Sequence, residues 1–254
     1  MNRINLGNQH WLEIILNKAL REETKEAARK HHSQFFHPSQ AGMCPRALWY
    51  FMKGYTPERP TITSQKALSM GSTFHSMIET VFKKTGLVHS IESIMIADPD
   101  DLFNQYNVPV PISGTYDVVI FDPFKRKYLI EVKSHKDSLK DTLEIDYNDL
   151  TTVCRWDYLT SPEVSHTLQW QLYAYLSEIP QGCILYINRN DLRFKIFEQT
   201  LDLDIVYNIF EKYDDILEHI KKDIIYPYQP KENHYWCPFN WQCHQDYALE
   251  TLKQ

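Results

Sequence analysis

The sequence is short of glycine and of long apolar runs. Only 7 glycines occur among its 254 residues, so long flexible linkers are not expected. No stretch approaches the roughly 20 apolar residues that a membrane span requires, and the charged N-terminal segment lacks the small-residue cleavage site of a signal peptide. These absences predict one domain over residues 1–254, a cytoplasmic location and no membrane partner.

Disulfide bonds and a strongly basic surface are not expected either. Five cysteines are an odd number, which in a reducing compartment favours metal binding or simple burial. A net charge of −6 argues against a protein that coats nucleic acid non-specifically, although it leaves room for an enzyme with a local basic patch. The hydrophobic fraction of 43% is sufficient for a folded core.

Periodicity and turn residues predict an α/β protein. Apolar residues at helical spacing and alternating strand patterns, separated by turn residues, indicate several elements. The predicted helices are 10–30, 44–54, 65–84, 164–177 and 202–222, with a short helix near the C-terminus; the predicted strands are 114–122 and 127–134, followed by a hairpin over 182–199. The segment 136–160 has no assignment.

Two of the predicted strands carry a carboxylate among apolar residues. Asp117 lies in "TYDVVIF" and Glu131 in "YLIEVKS". Such acids need a partner when buried, and two carboxylates from adjacent strands form a site for a hard cation such as Mg²⁺ or Mn²⁺. Lys133 leaves the same strand face as Glu131, where it can position a water or stabilise a phosphoryl charge. From these residues alone, a surface hairpin with a cross-strand salt bridge is the other interpretation.

A family resemblance decides between the two interpretations. Gly114-x-x-Asp117 followed by Glu131-Val132-Lys133 resembles the PD-(D/E)XK nuclease superfamily, although Thr115 and Tyr116 replace the Pro-Asp dipeptide of its name. "GSTFH" (71–75) and "QWQLYAYL" (169–176) are similar to the RecB-like branch. The resemblance implies metal ligation by His75, Asp117, Glu131 and the Val132 carbonyl, catalysis by Asp117, Glu131 and Lys133, and substrate binding by Gln169, Tyr173 and Arg46.

The cysteines near the two ends extend the resemblance. Cys44 precedes the acidic motifs, and Cys237-x5-Cys243 follows them, with His234 three positions before Cys237. This arrangement resembles the iron–sulfur nucleases of the RecB-like branch, which include AddB and the CRISPR-associated exonucleases, and it implies a [4Fe–4S] cluster. From ligand chemistry alone, one histidine and three cysteines suit structural zinc, so both remain open.

The resulting expectation is a restriction-endonuclease-like α/β core with a small mixed sheet flanked by helices. Helical additions precede a catalytic core at about 65–200, and a metal cluster joins the segments 40–50 and 230–245. The resemblance implies a Mg²⁺- or Mn²⁺-dependent exonuclease acting on single-stranded DNA or duplex ends. The alternatives are a structure-specific or restriction-type endonuclease and a non-catalytic nucleic-acid-binding subunit. A helicase or recombination partner, or a homo-oligomer, stays open.

Overall fold

A five-stranded mixed sheet forms the centre of the structure, a computed structural model that describes residues 34–58, 61–99, 108–135, 155–228 and 237–251. The strands lie side by side in chain order, with β1, β2 and β3 antiparallel, β4 parallel to β3, and β5 antiparallel to β4. They are β1 (Val88–Ala97), β2 (Ile112–Phe121), β3 (Lys127–His135), β4 (Gln181–Asn188) and β5 (Phe194–Thr200).

Six α-helices surround this sheet within the described residues: α1 (Pro45–Met52), α2 (Ile62–Thr85), α3 (Arg155–Tyr158), α4 (Val164–Ser177), α5 (Leu203–Lys221) and α6 (Asn240–Thr251). Local signals set several of their ends. Thr61 caps α2 by accepting a hydrogen bond from the Ser64 backbone N–H at 3.2 Å. Gly86 ends the same helix with φ of 71°, in the left-handed region that glycine adopts without strain.

The helices divide between the two faces of the sheet. Ile130 and Val132 of β3 belong to a small apolar cluster with Ile78 of α2. Leu129 belongs to the larger core on the other face, which includes residues of α1, α4 and α5. Because side chains alternate along a strand, Glu131 and Lys133 share the face of Leu129, where α4 packs. The position of these two charged side chains is therefore fixed by the burial of their apolar neighbours.

The predicted fold class is confirmed: this is a mixed α/β protein with a small five-stranded mixed sheet flanked by helices. The predicted helix at 164–177 has those bounds in α4, and the hairpin predicted at 182–199 forms β4 and β5. Strand β1 was missed, because its alternation is broken by Glu92, which has φ of 46°. The predicted helix at 10–30 lies outside the described residues. None of the described helices has the length and apolar character needed to cross a membrane.

Candidate active site

The two acids lie where neighbouring strands separate, a point called the fork below. Strands β2 and β3 pair only over 118–121 and 127–130. Beyond this ladder, Asp117 Oδ2 accepts a hydrogen bond of 2.7 Å from the Val132 N–H, in the place of a strand partner. The carbonyl of a strand residue points to the same side as its N–H, so the Val132 carbonyl also points into the fork.

Glu131, Lys133 and Gln169 form a closed ring of hydrogen bonds beside the fork. Lys133 Nζ lies 2.7 Å from Glu131 Oε1 and donates to Gln169 Oε1 at 2.9 Å. Gln169 Nε2 in turn donates to Glu131 Oε1 at 2.7 Å. A lysine only donates and a carboxylate only accepts, so this ring fixes the orientation of the Gln169 amide. The lysine ammonium is thereby held in one place next to the carboxylate.

Burial gives Glu131 an unusual acidity. Its residue is 2% exposed, and this burial, followed by the negative charge of Asp117, raises the pKa of Glu131 to about 7. Lys133 and His75 act in the opposite direction. The rise shows that the two carboxylates are close enough to repel each other in a medium of low polarity. A cation between them would relieve that repulsion.

His75 reaches the fork from α2. Its Nδ1 lies 3.3 Å from Asp117 Oδ1, and the two side chains are 29% and 17% exposed. The hydrogen bond from His75 to Asp117 raises the pKa of the imidazole, although burial opposes the rise. Asp117 therefore receives one donor on each oxygen, the imidazole on Oδ1 and the Val132 N–H on Oδ2.

Tyr173 lies one helical turn after Gln169 and supports the site from behind. It is 4% exposed, and its hydroxyl interacts with Gln169 and with the backbone of Thr115. Burial is the main reason that its pKa is raised. Gly114 is required beside it, because a Cβ there would lie 2.7 Å from Pro38 Cδ and 3.0 Å from Tyr173 Cε1. This placement favours a positioning role for Tyr173, exerted through Gln169.

The donor set at the fork suits a hard divalent cation. It consists of two carboxylates and a backbone carbonyl, which are oxygen ligands of the kind that Mg²⁺ and Mn²⁺ prefer, together with one imidazole nitrogen. Within the described parts of the chain, no three His, Cys, Asp or Glu side chains already form a metal-binding group. The hydrogen bonds given above account for this, because Glu131 Oε1 faces Lys133 and Gln169, whereas both oxygens of Asp117 face other donors.

Sequence reasoning missed several polar residues around the fork. His166, three positions before Gln169 on α4, lies 2.6 Å through Nδ1 from the Tyr186 hydroxyl. Burial, and then the charges of Lys133 and His135, lower the pKa of His166 to about 3, so it is neutral. Its spacing from Gln169 was the one signal for it. Ser134 and Arg189, which also adjoin this region, carried no motif.

Two further carboxylates stand near the histidine side of the fork. Glu79 follows His75 by one turn of α2, and Glu92 is the residue of β1 with positive φ. Partial burial, and then the charge of Glu92, raise the pKa of Glu79, and Asp117 adds to the rise. The fork is therefore surrounded by negative charge on this side.

The predicted ligands of the terminal cluster are only partly described. Burial, and then the charges of Cys237 and Cys44, raise the pKa of the Cys243 thiol to about 11, whereas Arg46 opposes the rise. These three thiols do not form a metal-binding group within the described residues, so the cluster stays a prediction. His234, the fourth predicted ligand, lies outside the described residues, and so does Cys154. Cys183 lies buried in β4.

Arg46 is held by partners from the two ends of the described chain. Its side chain is fully buried, and its guanidinium makes a two-point contact with Glu250, from Nη1 to Oε2 at 3.2 Å and from Nη2 to Oε1 at 3.0 Å. Its Nε also donates to the Tyr50 hydroxyl at 3.3 Å. These contacts give Arg46 a structural role, and its role in substrate binding stays a prediction.

Comparison with solved structures shows a shared fold. The structure of SSO0001 is similar with a TM-score of 0.56 and 18% identity, over 92% of this chain and 96% of that chain. An alkaline exonuclease, LHK-Exo from Laribacter hongkongensis, is similar with a TM-score of 0.49 and 10% identity, over 78% of this chain and 93% of that one. A phage-related exonuclease from Haemophilus somnus 129PT gives 0.44 and 13%, over 70% and 79%. No family model and no curated protein matches the chain.

Proposed function

We propose that this chain is a divalent-metal-dependent nuclease that hydrolyses phosphodiester bonds of DNA. The observation that carries the proposal is the fork: a buried glutamate and a lysine share one hydrogen-bond ring, and a second carboxylate lies opposite them where two strands separate. A surface salt bridge, the other interpretation of these residues, does not account for a glutamate that is 2% exposed.

The residues of the chain divide the work of hydrolysis. Asp117, Glu131, the Val132 carbonyl and His75 would hold Mg²⁺ or Mn²⁺, which when bound would stabilise charge on the reacting oxygens of a phosphodiester. Lys133 orients a water toward phosphorus, and Gln169 fixes the lysine through the hydrogen bond of 2.9 Å. The water oxygen forms a bond to phosphorus and loses one proton to solvent, the bond from phosphorus to one sugar oxygen breaks, and that leaving oxygen takes up a proton from solvent.

Exonucleolytic cleavage of single strands or duplex ends is the form of the activity that we propose. The test is incubation of the pure protein with end-labelled linear DNA and with covalently closed circular DNA, in Mg²⁺, in Mn²⁺ and in chelator. Mononucleotides from the linear substrate alone would support an exonuclease. Cutting of the closed circle would instead select an endonuclease, and binding without cutting would select a non-catalytic subunit.

We further propose that Cys44, Cys237 and Cys243, with His234, hold a structural metal group. The support is that Cys243 and Phe239 belong to one apolar core against which Cys44 and Cys237 pack, and that the charges of these two cysteines act on the Cys243 thiol. A [4Fe–4S] cluster would make anaerobically purified protein brown, whereas structural zinc would give colourless protein with about one equivalent of zinc. Well-folded protein with neither metal and with reactive thiols would contradict both forms.

The same group makes the stability of the chain depend on these ligands. Because a site of this kind cannot exist in the unfolded chain, its binding energy is folding energy. Cys243→Ser should therefore lower the melting temperature sharply, whereas Cys183→Ser, in the buried core of β4, serves as the matched control for loss of a thiol outside the group.

A further inference from the structure

We propose that Gly71, Ser134 and Arg189 form a second phosphate-binding subsite, which holds a phosphodiester adjacent to the one that is cut. This inference rests on the proposed nuclease function and names where that site grips its substrate. The subsite presents a guanidinium and a hydroxyl beside Gly71, the point of α2 that has no side chain. None of these three residues belongs to the predicted site.

The position of the subsite is set by β3, β4 and α2. Ser134 directly follows Lys133 on β3. Arg189 follows the end of β4, where Asn188 is in register with His135, and its N–H donates to the His135 carbonyl at 2.9 Å. Gly71 precedes His75 by four residues, which is about one turn, or roughly 5 to 6 Å, along α2. The subsite thus lies beside the fork, at the distance scale of one nucleotide.

Arg189 has donors that no acidic side chain among the described residues takes up. Of the four arginines whose side chains the structure describes, three contact a carboxylate, namely Arg46, Arg126 and Arg193. Arg189 instead donates from Nε to Ser134 Oγ at 3.0 Å and from Nη2 to the Ser134 carbonyl at 3.3 Å. These two bonds orient a guanidinium that has five N–H donors, and the remaining donors suit the oxygens of a phosphate.

The environment of Arg189 favours an anionic ligand. Its side chain is partly buried, and this burial lowers the pKa of the guanidinium. A partly buried guanidinium that has no carboxylate partner among the described residues keeps an unbalanced positive charge. The neighbouring fork is acidic, so a positive group here would attract the phosphate backbone to a part of the surface that would otherwise repel it.

Glycine at position 71 leaves these donors uncovered. A Cβ at this position would lie 3.8 Å from Ser134 Oγ and 4.0 Å from Arg189 Nη2. Both distances are ordinary van der Waals contacts, so alanine fits without strain, but its methyl group would rest against the polar groups. The helix would also gain about 1 kcal/mol from the substitution, so the glycine is better explained by access than by folding.

The test measures DNA binding in a protein that does not cut. The background is Glu131→Gln, and the probes are a single-stranded oligonucleotide and a set of the same oligonucleotides with one neutral methylphosphonate linkage at successive positions. Adding Arg189→Ala should weaken binding of the charged oligonucleotide about tenfold and reduce the salt slope by about one counterion. Arg126→Ala, at a turn where the arginine already pairs with Asp122, is the matched control and should leave both quantities unchanged.

The methylphosphonate series identifies the contact. At one position of the oligonucleotide, a neutral linkage should weaken binding to the Glu131→Gln protein. The same neutral linkage should have no effect on binding to the protein that also carries Arg189→Ala. Equal losses at that linkage in both proteins, or an unchanged salt slope, would overturn the subsite. Gly71→Ala provides a second variant that does not depend on removing Arg189: it should melt no lower than the parent and yet bind the charged oligonucleotide more weakly, and unchanged affinity would count against the subsite.

The outcome separates the two proposals. If the wild-type protein cleaves DNA but binding does not depend on Arg189, the proposed nuclease activity is supported and the proposed subsite is rejected. Binding that depends on Arg189 without any cleavage would keep the subsite and remove the proposed activity.

Discussion

The fork and the terminal junction both bury charged groups, yet the partners of these groups differ between the two places. The terminal junction is the contact of α1 with α6 through Arg46, Tyr50, Asp246 and Glu250. There, the charged groups are hydrogen-bonded to one another or to a hydroxyl: Arg46 contacts both oxygens of Glu250, and the Tyr50 hydroxyl donates to Asp246 at 2.7 Å. At the fork, Asp117 and Glu131 stand close enough that the pKa of Glu131 rises.

This difference separates a structural role from a chemical one. A closed set of partners is arranged for stability, since the Arg46 charge already has Glu250 as its counter-charge and Asp246 already has a hydrogen-bond donor. An excess of one sign of charge, held rigidly by hydrogen bonds, is costly in the isolated protein and becomes favourable when an ion of the opposite sign arrives. The first arrangement joins positions 204 residues apart, and the second prepares a site for a ligand.

The largest effect should come from breaking the fork. Glu131→Gln keeps the shape of the side chain but removes the charge, so we expect cleavage to fall by a factor of roughly 1,000 or more while the protein stays folded. Glu211→Gln, on the exposed side of α5, is the matched control and should cleave normally. The measurement is the single-turnover rate on end-labelled DNA, with the melting temperature of each variant. Cleavage by Glu131→Gln at the wild-type rate would show that the fork has no role in catalysis.

Breaking the terminal junction should do the reverse. Arg46→Met preserves bulk but leaves Glu250 without its partner, and because the Glu250 side chain is 35% exposed the cost should be about 2 kcal/mol, below that of a fully buried pair. Urea unfolding measures it, with Arg126→Met at an exposed turn as the control. The cleavage rate per folded molecule should be unchanged. A reduced rate in folded Arg46→Met protein would instead support the predicted role of Arg46 in substrate binding.

The residues that line the fork could be predicted from the sequence, whereas the separation of the two strands that forms the fork could not. Alternation along β3 places Glu131 and Lys133 on one face, because apolar neighbours fix the parity of that strand. The separation of β2 from β3 before residue 118 is a property of strand pairing, and the site that it opens also needs groups from α2 and α4. Sequence reasoning therefore found the acids but not the hydrogen bond from Val132 that replaces the missing ladder.

Long-range partners explain the remaining differences. Arg46 is followed by no nearby acid that would reveal its pairing, and its partner Glu250 comes from the far end of the chain. Arg189 gave no signal either, because its neighbours Gly71 and Ser134 come from two other elements. Such sites arise from tertiary packing, which composition and periodicity do not encode.

A further effect on stability is expected from pH. The pKa of Glu131 is raised from 4.5 to about 7, so between these values the folded state binds a proton that the unfolded state has released. In chelator, this contribution to stability is present below pH 4.5 and is lost as pH rises through 7. Glu131→Gln should therefore become more stable than wild type by up to about 3 kcal/mol at pH 8, with little difference near pH 4.5.

Addition of Mn²⁺ at pH 8 tests whether a bound cation offsets the loss of stability that the ionised Glu131 causes. It should stabilise the wild-type protein and leave Glu131→Gln nearly unchanged, since only the wild type has both carboxylates. The apparent affinity of wild type for Mn²⁺ should fall as pH drops below 7, because protons compete for Glu131. A pH-independent difference between the two proteins would show that the carboxylates do not repel each other.

The smallest effect should come from His75, which lies at the edge of the fork. Its imidazole suits Mn²⁺ better than Mg²⁺, whereas the carboxylates accept either ion. His75→Ala should thus weaken Mn²⁺ binding by about tenfold and Mg²⁺ binding by less. Calorimetric titration with each ion measures the ratio, and His89→Ala, an exposed histidine of β1, is the control. Equal losses for both ions would instead assign His75 to orienting Asp117 through their 3.3 Å contact, because an indirect effect on a shared carboxylate cannot distinguish the two cations.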